Sequence, residues 1–277
     1  MTNENIYYCS KEELKEKSKI PFRVLPTQDD INEEIAQIMV DVITKNNSIG
    51  KQTVIICPVG PIWHYPIFAK KVNELNLSLK NCIFINMDEY LDDEGNLIAY
   101  ENTLSFKKTM DEMLYSQIKE ELLMPEENRI FPDPSCPEEM DKLIDSFEKI
   151  DCVLTGVGIN GHIAFNEPPE KDEKITDEEF ENIGTRCLDI SRETIVRNGC
   201  GKYHGALDIF PKKCVTLGMK QLLKADMFKV YLYCDWQWGI MRKAALGEVT
   251  RFAPVTYLQK HKNAEMIVTN ELYEMKI

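Results

Sequence analysis

Positive charge is in short supply here: 33 Lys and Arg stand against 46 Asp and Glu, a formal net charge of −13 over 277 residues. A nucleic-acid partner needs clustered Lys and Arg, so no nucleic-acid binding is expected. No apolar run approaches the roughly 20 residues needed to span a bilayer, so no membrane partner is expected either. The opening, MTNENIYYCSKEELKEK, lacks a signal peptide's basic and apolar blocks. The nine cysteines are odd in number and scattered, with no CxxC pair, which argues against a disulfide framework. Cys57, Cys82, Cys152 and Cys234 lie in apolar runs, where a free thiol behaves as a small hydrophobe. Reduced thiols predict a cytoplasmic protein. There is no internal repeat, low-complexity tract or linker, so one domain over 1–277 is expected, long enough to bury a sizeable core.

What is present is an alternation. Segments 52–58 (QTVIICP), 81–86 (NCIFIN), 151–155 (DCVLT), 228–234 (FKVYLYC) and 264–269 (AEMIVT) read as strands. Several are apolar almost throughout, as strands of a parallel sheet covered on both faces should be. Segment 27–46 has Ile31, Ile35, Ile38, Met39 and Val42 near helical spacing, with Thr27 as N-cap. Segments 62–75, 100–118, 137–150 and 236–246 are further helices. The pattern predicts an α/β fold: a Rossmann-like, mostly parallel sheet with helices on both faces.

Two segments carry chemistry. DCVLTGVGINGHIAFNEP, 151–168, leaves an apolar strand and turns through Gly156, Gly158 and Gly161, where backbone takes positive φ or presses close to a ligand. It delivers Asn160, His162 and Glu167 where ligands of open α/β sheets bind, beyond the carboxyl ends of strands. Asn86-Met87-Asp88-Glu89-Tyr90 follows another apolar run. If both strands share one parallel sheet, Asp88 and His162 emerge at the same edge. His moves protons near neutral pH, and a carboxylate beside a substrate carries one between adjacent carbons. Alone, each motif has a plainer reading, a structural His or an acidic pair facing water. The acidic segment 168–184 reads as a solvated face or as a lid over the site.

NMDEY and GVGINGHIAFNEP together resemble the glucosamine-6-phosphate deaminase (isomerase) family. Thr185-Arg186, Glu193-Thr194-Ile195-Val196, Val215-Thr216-Leu217-Gly218-Met219 and Lys243-Ala244-Ala245-Leu246-Gly247-Glu248 follow in the family's order, so the likeness covers most of the chain from about Asp30. The related 6-phosphogluconolactonases share the glycine loop but usually continue differently after the His. The resemblance implies a metal-free aldose–ketose isomerisation with loss of ammonia, needing no cofactor. His162 would open the sugar ring. Glu167 and Asn160 would orient it, and Asp88 would move a proton from carbon 2 to carbon 1. Asn160 stands where some members carry Asp, which removes a negative charge beside His162. The partner would be a small sugar or amino sugar. Family enzymes occur as monomers, trimers and hexamers, which leaves a homo-oligomer open.

The resemblance weakens at the substrate's phosphate end. The family uses a Gly-, Ser- and Thr-rich loop after its first strand, plus a Lys and an Arg from later segments. Here the loop reads Cys57-Pro58-Val59-Gly60-Pro61-Ile62-Trp63-His64, with no hydroxyl, and Pro61 has no N–H. Trp238 falls where the Lys belongs. The Arg position falls near Cys200, with Arg197 and Lys202 the closest cations. Trp63 and Trp238 either fill core or stack on a non-phosphorylated or differently substituted sugar. The expected substrate contacts are therefore Gly60, Trp63, Glu89, Gly158, Gly161 and Trp238. The expected function is an amino-sugar isomerase/deaminase with an altered phosphate site. A non-catalytic sugar-binding regulator or a sugar lactonase stand as alternatives.

Overall fold

The computed structural model describes residues 5 to 276. Ten strands run in chain order: β1 (Phe22–Leu25), β2 (Thr53–Cys57), β3 (Cys82–Asn86), β4 (Asp88–Leu91), β5 (Arg129–Ile130), β6 (Cys152–Gly156), β7 (Arg186–Asp189), β8 (Lys213–Thr216), β9 (Met227–Leu232) and β10 (Ala264–Thr269). Seven form one parallel sheet in the order β1-β10-β9-β6-β2-β3-β5. The other three form a small antiparallel sheet, β4-β8-β7.

The strand period of two sorts the parallel strands' side chains onto two faces. Val54, Ile56, Ile83, Ile85, Val153, Val230 and Met266 join one core with Met241, Ala244 and Ala245 of the helix Trp238–Leu246. Ile55, Cys57, Phe84, Leu154, Tyr231 and Ile267 join the other, against the helices Gln28–Ser48 and His64–Leu75. Each fully buried Val, Leu, Ile or Phe contributes about 1.5–3 kcal/mol. Burial on both faces is why β2, β3 and β6 read as unbroken apolar runs.

The five strands read from sequence are observed within two residues of their expected ends. The helix after Thr27 is observed too: the Thr27 side chain accepts from Asp30 N–H and the Asp30 carboxylate accepts from Thr27 N–H. The segment 100–118 is helical only over Phe106–Met113, followed by a 3₁₀ turn, Tyr115–Gln117. Its start is set by the Glu89 carboxylate, which accepts from Phe106 N–H and Lys107 N–H. The antiparallel sheet was not anticipated, because β4, β7 and β8 have only four residues each.

One topological feature positions the site. β2 pairs with β3 on one side and with β6 on the other. Strand order thus reverses between β2 and β6, and the crevice beyond such a reversal is where open α/β sheets bind ligands. The loops after β2 and β6 meet there. A Cβ added to Gly156 would lie 3.1 Å from Gly60 O and 3.3 Å from Pro61 Cδ.

Candidate active site

The loop after β6 is folded around an imidazole. Gly158 N–H donates to His162 O and Gly161 N–H donates to Gly158 O, at 3.0 Å each. A Cβ at Gly158 would stand 1.9 Å from His162 Nε2, so only glycine leaves room for the ring. Gly161 has φ +89°, which also favours glycine. These glycines therefore shape the loop around the side chain. Val255 N–H donates to Gly161 O at 2.8 Å and fixes the loop's far side.

His162 is nearly buried, and its Nδ1 lies 2.8 Å from Asn160 Oδ1 and 3.1 Å from Glu167 Oε2. Both oxygens are acceptors once Asn160 donates its amide N–H, so Nδ1 carries the proton and Nε2 keeps the free lone pair. Asn160 Nδ2 donates to Glu167 Oε2 at 2.5 Å and to Ser191 Oγ at 3.2 Å. An aspartate at 160 would set a second carboxylate oxygen against that of Glu167. Asn160 is thus complementary to Glu167, and it bridges that acid to the imidazole. Burial pushes the Glu167 carboxyl up. The neighbouring His162 and hydrogen bonds from His162, Asn160 and Thr194 outweigh this and hold it down at about 2.

Ser191 and Thr194 complete this network, and sequence reasoning gave them no role. Ser191 caps the helix Arg192–Lys202, its Oγ accepting from Thr194 N–H while donating to Glu167 Oε2 at 3.1 Å. Thr194 Oγ1 lies 3.4 Å from His162 Nδ1. A helix N-terminus also favours the Glu167 anion. The readable signal was a Ser at an N-cap position three residues ahead of a hydroxyl.

Asp88 arrives from the other sheet. The chain leaves β3 at Asn86, turns through Met87, and begins β4 at Asp88. Met87 N–H donates to Cys57 O, and Leu217 N–H donates to Met87 O. Asp88 sits opposite Thr216 of β8. Thr216 Oγ1 in turn accepts from Phe165 N–H of the His162 loop at 3.0 Å, so one threonine links the two candidate segments. Burial, helped by Asp88 and Glu167, pushes the Cys214 thiol up. Tyr90, two residues after Asp88 and so on the same strand face, packs its ring 5.4 Å from Phe165. Phe165 also stacks on Phe106, which makes it the anchor of the HIAFNEP run.

The Asp88 carboxylate is buried and accepts no hydrogen bond among the described residues. Burial, helped by the neighbouring Glu89, pushes its carboxyl well above the usual range. A carboxylate held this way is a stronger base once ionised, and a cationic ligand group beside it would favour ionisation.

The remaining expected contacts divide. Gly60 lies on the β2 loop against Gly156, and Trp63 is 58% exposed on the same loop. Glu89 is corrected to a structural role. It faces away from Asp88, and Tyr90, Phe106 and Lys107 N–H with Ser105 Oγ occupy both its oxygens. Trp238 is corrected likewise. Its Nε1 donates to Met275 O at 2.9 Å, Tyr7 stacks on it at 6.2 Å, and the Arg242 guanidinium covers it at 4.4 Å. The place expected for a phosphate lysine is filled by core packing.

The second half of the acidic segment is tied to the body of the protein. Helix Asp177–Glu181 is held by Arg251 and Tyr257 on Asp177 and by Lys260 on Glu181, with Phe180 buried against Tyr257. Residues 170–174 are exposed.

Comparison with known proteins gives a consistent picture. No family model matches the chain. It is 30% identical over 255 residues to a glucosamine-6-phosphate deaminase of Mycoplasma mycoides subsp. mycoides, covering 88% of this chain and 93% of that protein. It is 27% identical over 217 residues to a protein of the same description from Clostridium perfringens, covering 76% and 81%. Among solved structures, a monomeric glucosamine-6-phosphate deaminase superposes with TM-score 0.78 at 21% identity, covering 91% of this chain and 98% of that one. A 6-phosphogluconolactonase from Trypanosoma cruzi superposes with TM-score 0.64 at 15% identity, covering 92% and 96%. The expected α/β architecture is thus shared with both.

Proposed function

Since this chain belongs to the glucosamine-6-phosphate deaminase family, as its 30% identity over 88% of its length establishes, we propose that it isomerises and deaminates an amino sugar with Asp88 and His162 as proton carriers. What supports the reading is that the two segments follow β3 and β6, the strands on either side of β2, and that Thr216, opposite Asp88, accepts from Phe165 N–H of the His162 loop.

His162 Nε2, with its proton-bearing Nδ1 held by Asn160 and Glu167, takes the anomeric hydroxyl proton and returns one to the ring oxygen. The open-chain amino aldehyde results. Asp88 then removes the proton on carbon 2 while the carbon 1 oxygen takes a proton given up by the ammonium, so the carbonyl becomes an enol beside a neutral amine. The same carboxyl delivers that proton to carbon 1, leaving a protonated imine at carbon 2. Water adds to the imine and ammonia leaves, so amino sugar plus water gives keto sugar plus ammonia. General acid–base placement of this kind contributes about 10²–10⁴-fold. The substrate's ammonium, bonded to the same carbon as the proton that Asp88 removes, supplies the cationic neighbour that its buried carboxylate lacks.

The far end of the substrate meets a loop unlike the family's. Between Val59 and His64 there is no hydroxyl and Pro61 has no N–H, while Trp63 stands exposed. The finer reading is therefore a substrate held differently at that end, with Trp63 against a sugar face. The test is ammonia release from glucosamine 6-phosphate and from unphosphorylated glucosamine. Release from either supports the reaction, and the ratio of the two kcat/KM values reports the altered end. Saturable sugar binding with no ammonia from any amino sugar would replace the enzyme with a sugar-binding regulator.

A further inference from the structure

The Asp88 carboxylate accepts no hydrogen bond among the described residues, so its place is set by the strand that carries it. That strand, β4, has four residues and lies at an edge. β8 pairs with it on one side, and among the described residues the other side meets a single bridge, Leu91 to Leu97. Asp88 and Tyr90 share one face of β4. Tyr90 is therefore the side chain through which that face is steadied. Its ring packs on Phe106 at 4.9 Å, Phe165 at 5.4 Å and Phe210 at 5.5 Å. Its hydroxyl, which burial pushes up and keeps neutral, accepts from Asn198 Nδ2 at 3.4 Å.

Asn198 belongs to the helix Arg192–Lys202, whose cap, Ser191, donates to Glu167 Oε2. Thr194 of the same helix stands 3.4 Å from His162 Nδ1. Thr194 and Asn198 are four residues apart, so they share a helix face, about 6 Å apart along its axis. One turn of that face meets the imidazole, and the next meets the strand of Asp88. The end of the helix is fixed on the same side of the molecule. The Tyr203 hydroxyl donates to Asn102 Oδ1 at 3.2 Å, and the Tyr203 ring meets Phe210 edge-on at 5.9 Å. Thr216 ties the two catalytic segments together on one side, and this helix spans them on another. Such placement matters to chemistry, because a shift of about 1 Å can cost about 10²-fold in rate.

Resting on the amino-sugar reading, we infer that Asn198 is a positioning residue: by holding the Tyr90 hydroxyl, it sets where the Asp88 carboxylate stands relative to His162. Asn198 acts through Tyr90 and touches no substrate. The helix that orients the ring-opening imidazole thereby also registers the carboxylate that moves the proton between carbons.

The test measures kcat and KM for ammonia release by the full-length protein, with glucosamine 6-phosphate and with glucosamine, in wild type, Asn198→Ala, Tyr90→Phe and the double variant. Melting temperatures are taken beside them, and kcat is counted per folded molecule. Tyr90→Phe keeps the ring in its aromatic cluster and removes only the hydroxyl. Each single change should lower kcat about 10-fold and leave KM within about twofold, since the contact serves the transition state and not binding. The double variant should lose no more than either single one, because both changes break the same bond. Equal kcat in wild type and Asn198→Ala overturns the positioning role and leaves the reaction standing. So does a rise in KM alone, a loss in the double variant equal to the product of the single losses, or a loss that vanishes once only folded molecules are counted. No ammonia from wild type with either sugar removes the reaction, and the positioning role falls with it.

Discussion

The loops after β2 and β6 lie side by side at one reversal of strand order and are opposite in kind. The β6 loop is polar and cross-linked: His162, Asn160 and Glu167 share one hydrogen-bond network with Ser191 and Thr194. The β2 loop offers little. Its Tyr65 hydroxyl donates to Pro58 O within the protein, and burial pushes His64 down to about 3, so that ring stays neutral. Proton transfer needs fixed, mutually bonded side chains, whereas gripping a substituent needs only donors that reach it. Donors can be supplied from another element, so the β2 loop need not supply them.

That contrast can be broken in order of expected effect. Asp88→Asn should lower turnover by about 10²–10⁴-fold while sugar binding, followed by calorimetry, stays within a few fold. It should also change the pH dependence of stability. The folded-state carboxyl of Asp88 lies above its ordinary 3.8, so the unfolded chain ionises first and stability falls as pH rises from about 3.8 through the folded value. Asp88→Asn removes that loss, and its melting temperature should exceed wild type's increasingly over that range. A parallel pH course in both proteins would show that Asp88 is not buried as described.

Trp238→Ala should cost about 3–5 kcal/mol in denaturant unfolding, as large-to-small core changes do, with little change in KM. A rise in KM at unchanged stability would return Trp238 to the substrate. Asn160→Asp tests the polar loop. It places a second carboxylate at Glu167, so proton uptake by the cluster moves to higher pH and the acid limb of the rate profile moves with it. An unmoved limb would separate Asn160 from the imidazole. The smallest effect is at the β2 loop. Trp63→Ala should change stability by no more than about 0.5 kcal/mol, being an exposed site. A several-fold rise in KM for the better amino sugar would place a sugar face on its ring.

The parallel sheet was legible because strands buried on both faces leave continuous apolar runs, as in 53–57 and 82–86. The short strands β4, β7 and β8 left no such trace. Their residues are held by cross-strand pairing and by the Tyr90–Phe106–Phe165–Phe210 cluster, whose members lie up to 120 positions apart. That Asn160, His162 and Glu167 share one hydrogen-bond network was foreshadowed in sequence because one short glycine loop carries all three. Ser191 and Thr194 were not, since a cap looks the same whether or not an acid waits beyond it. Glu89 was misread because strand alternation turns it away from Asp88, and Trp238 because register alone does not say which way an aromatic faces.

The most direct test is solvent isotope transfer during turnover of the better amino sugar in deuterium oxide. The account predicts that wild type places deuterium at carbon 1 of the keto product and that Asp88→Asn forms neither the ketose nor the label. Label at carbon 1 appearing as fast in Asp88→Asn as in wild type would contradict it.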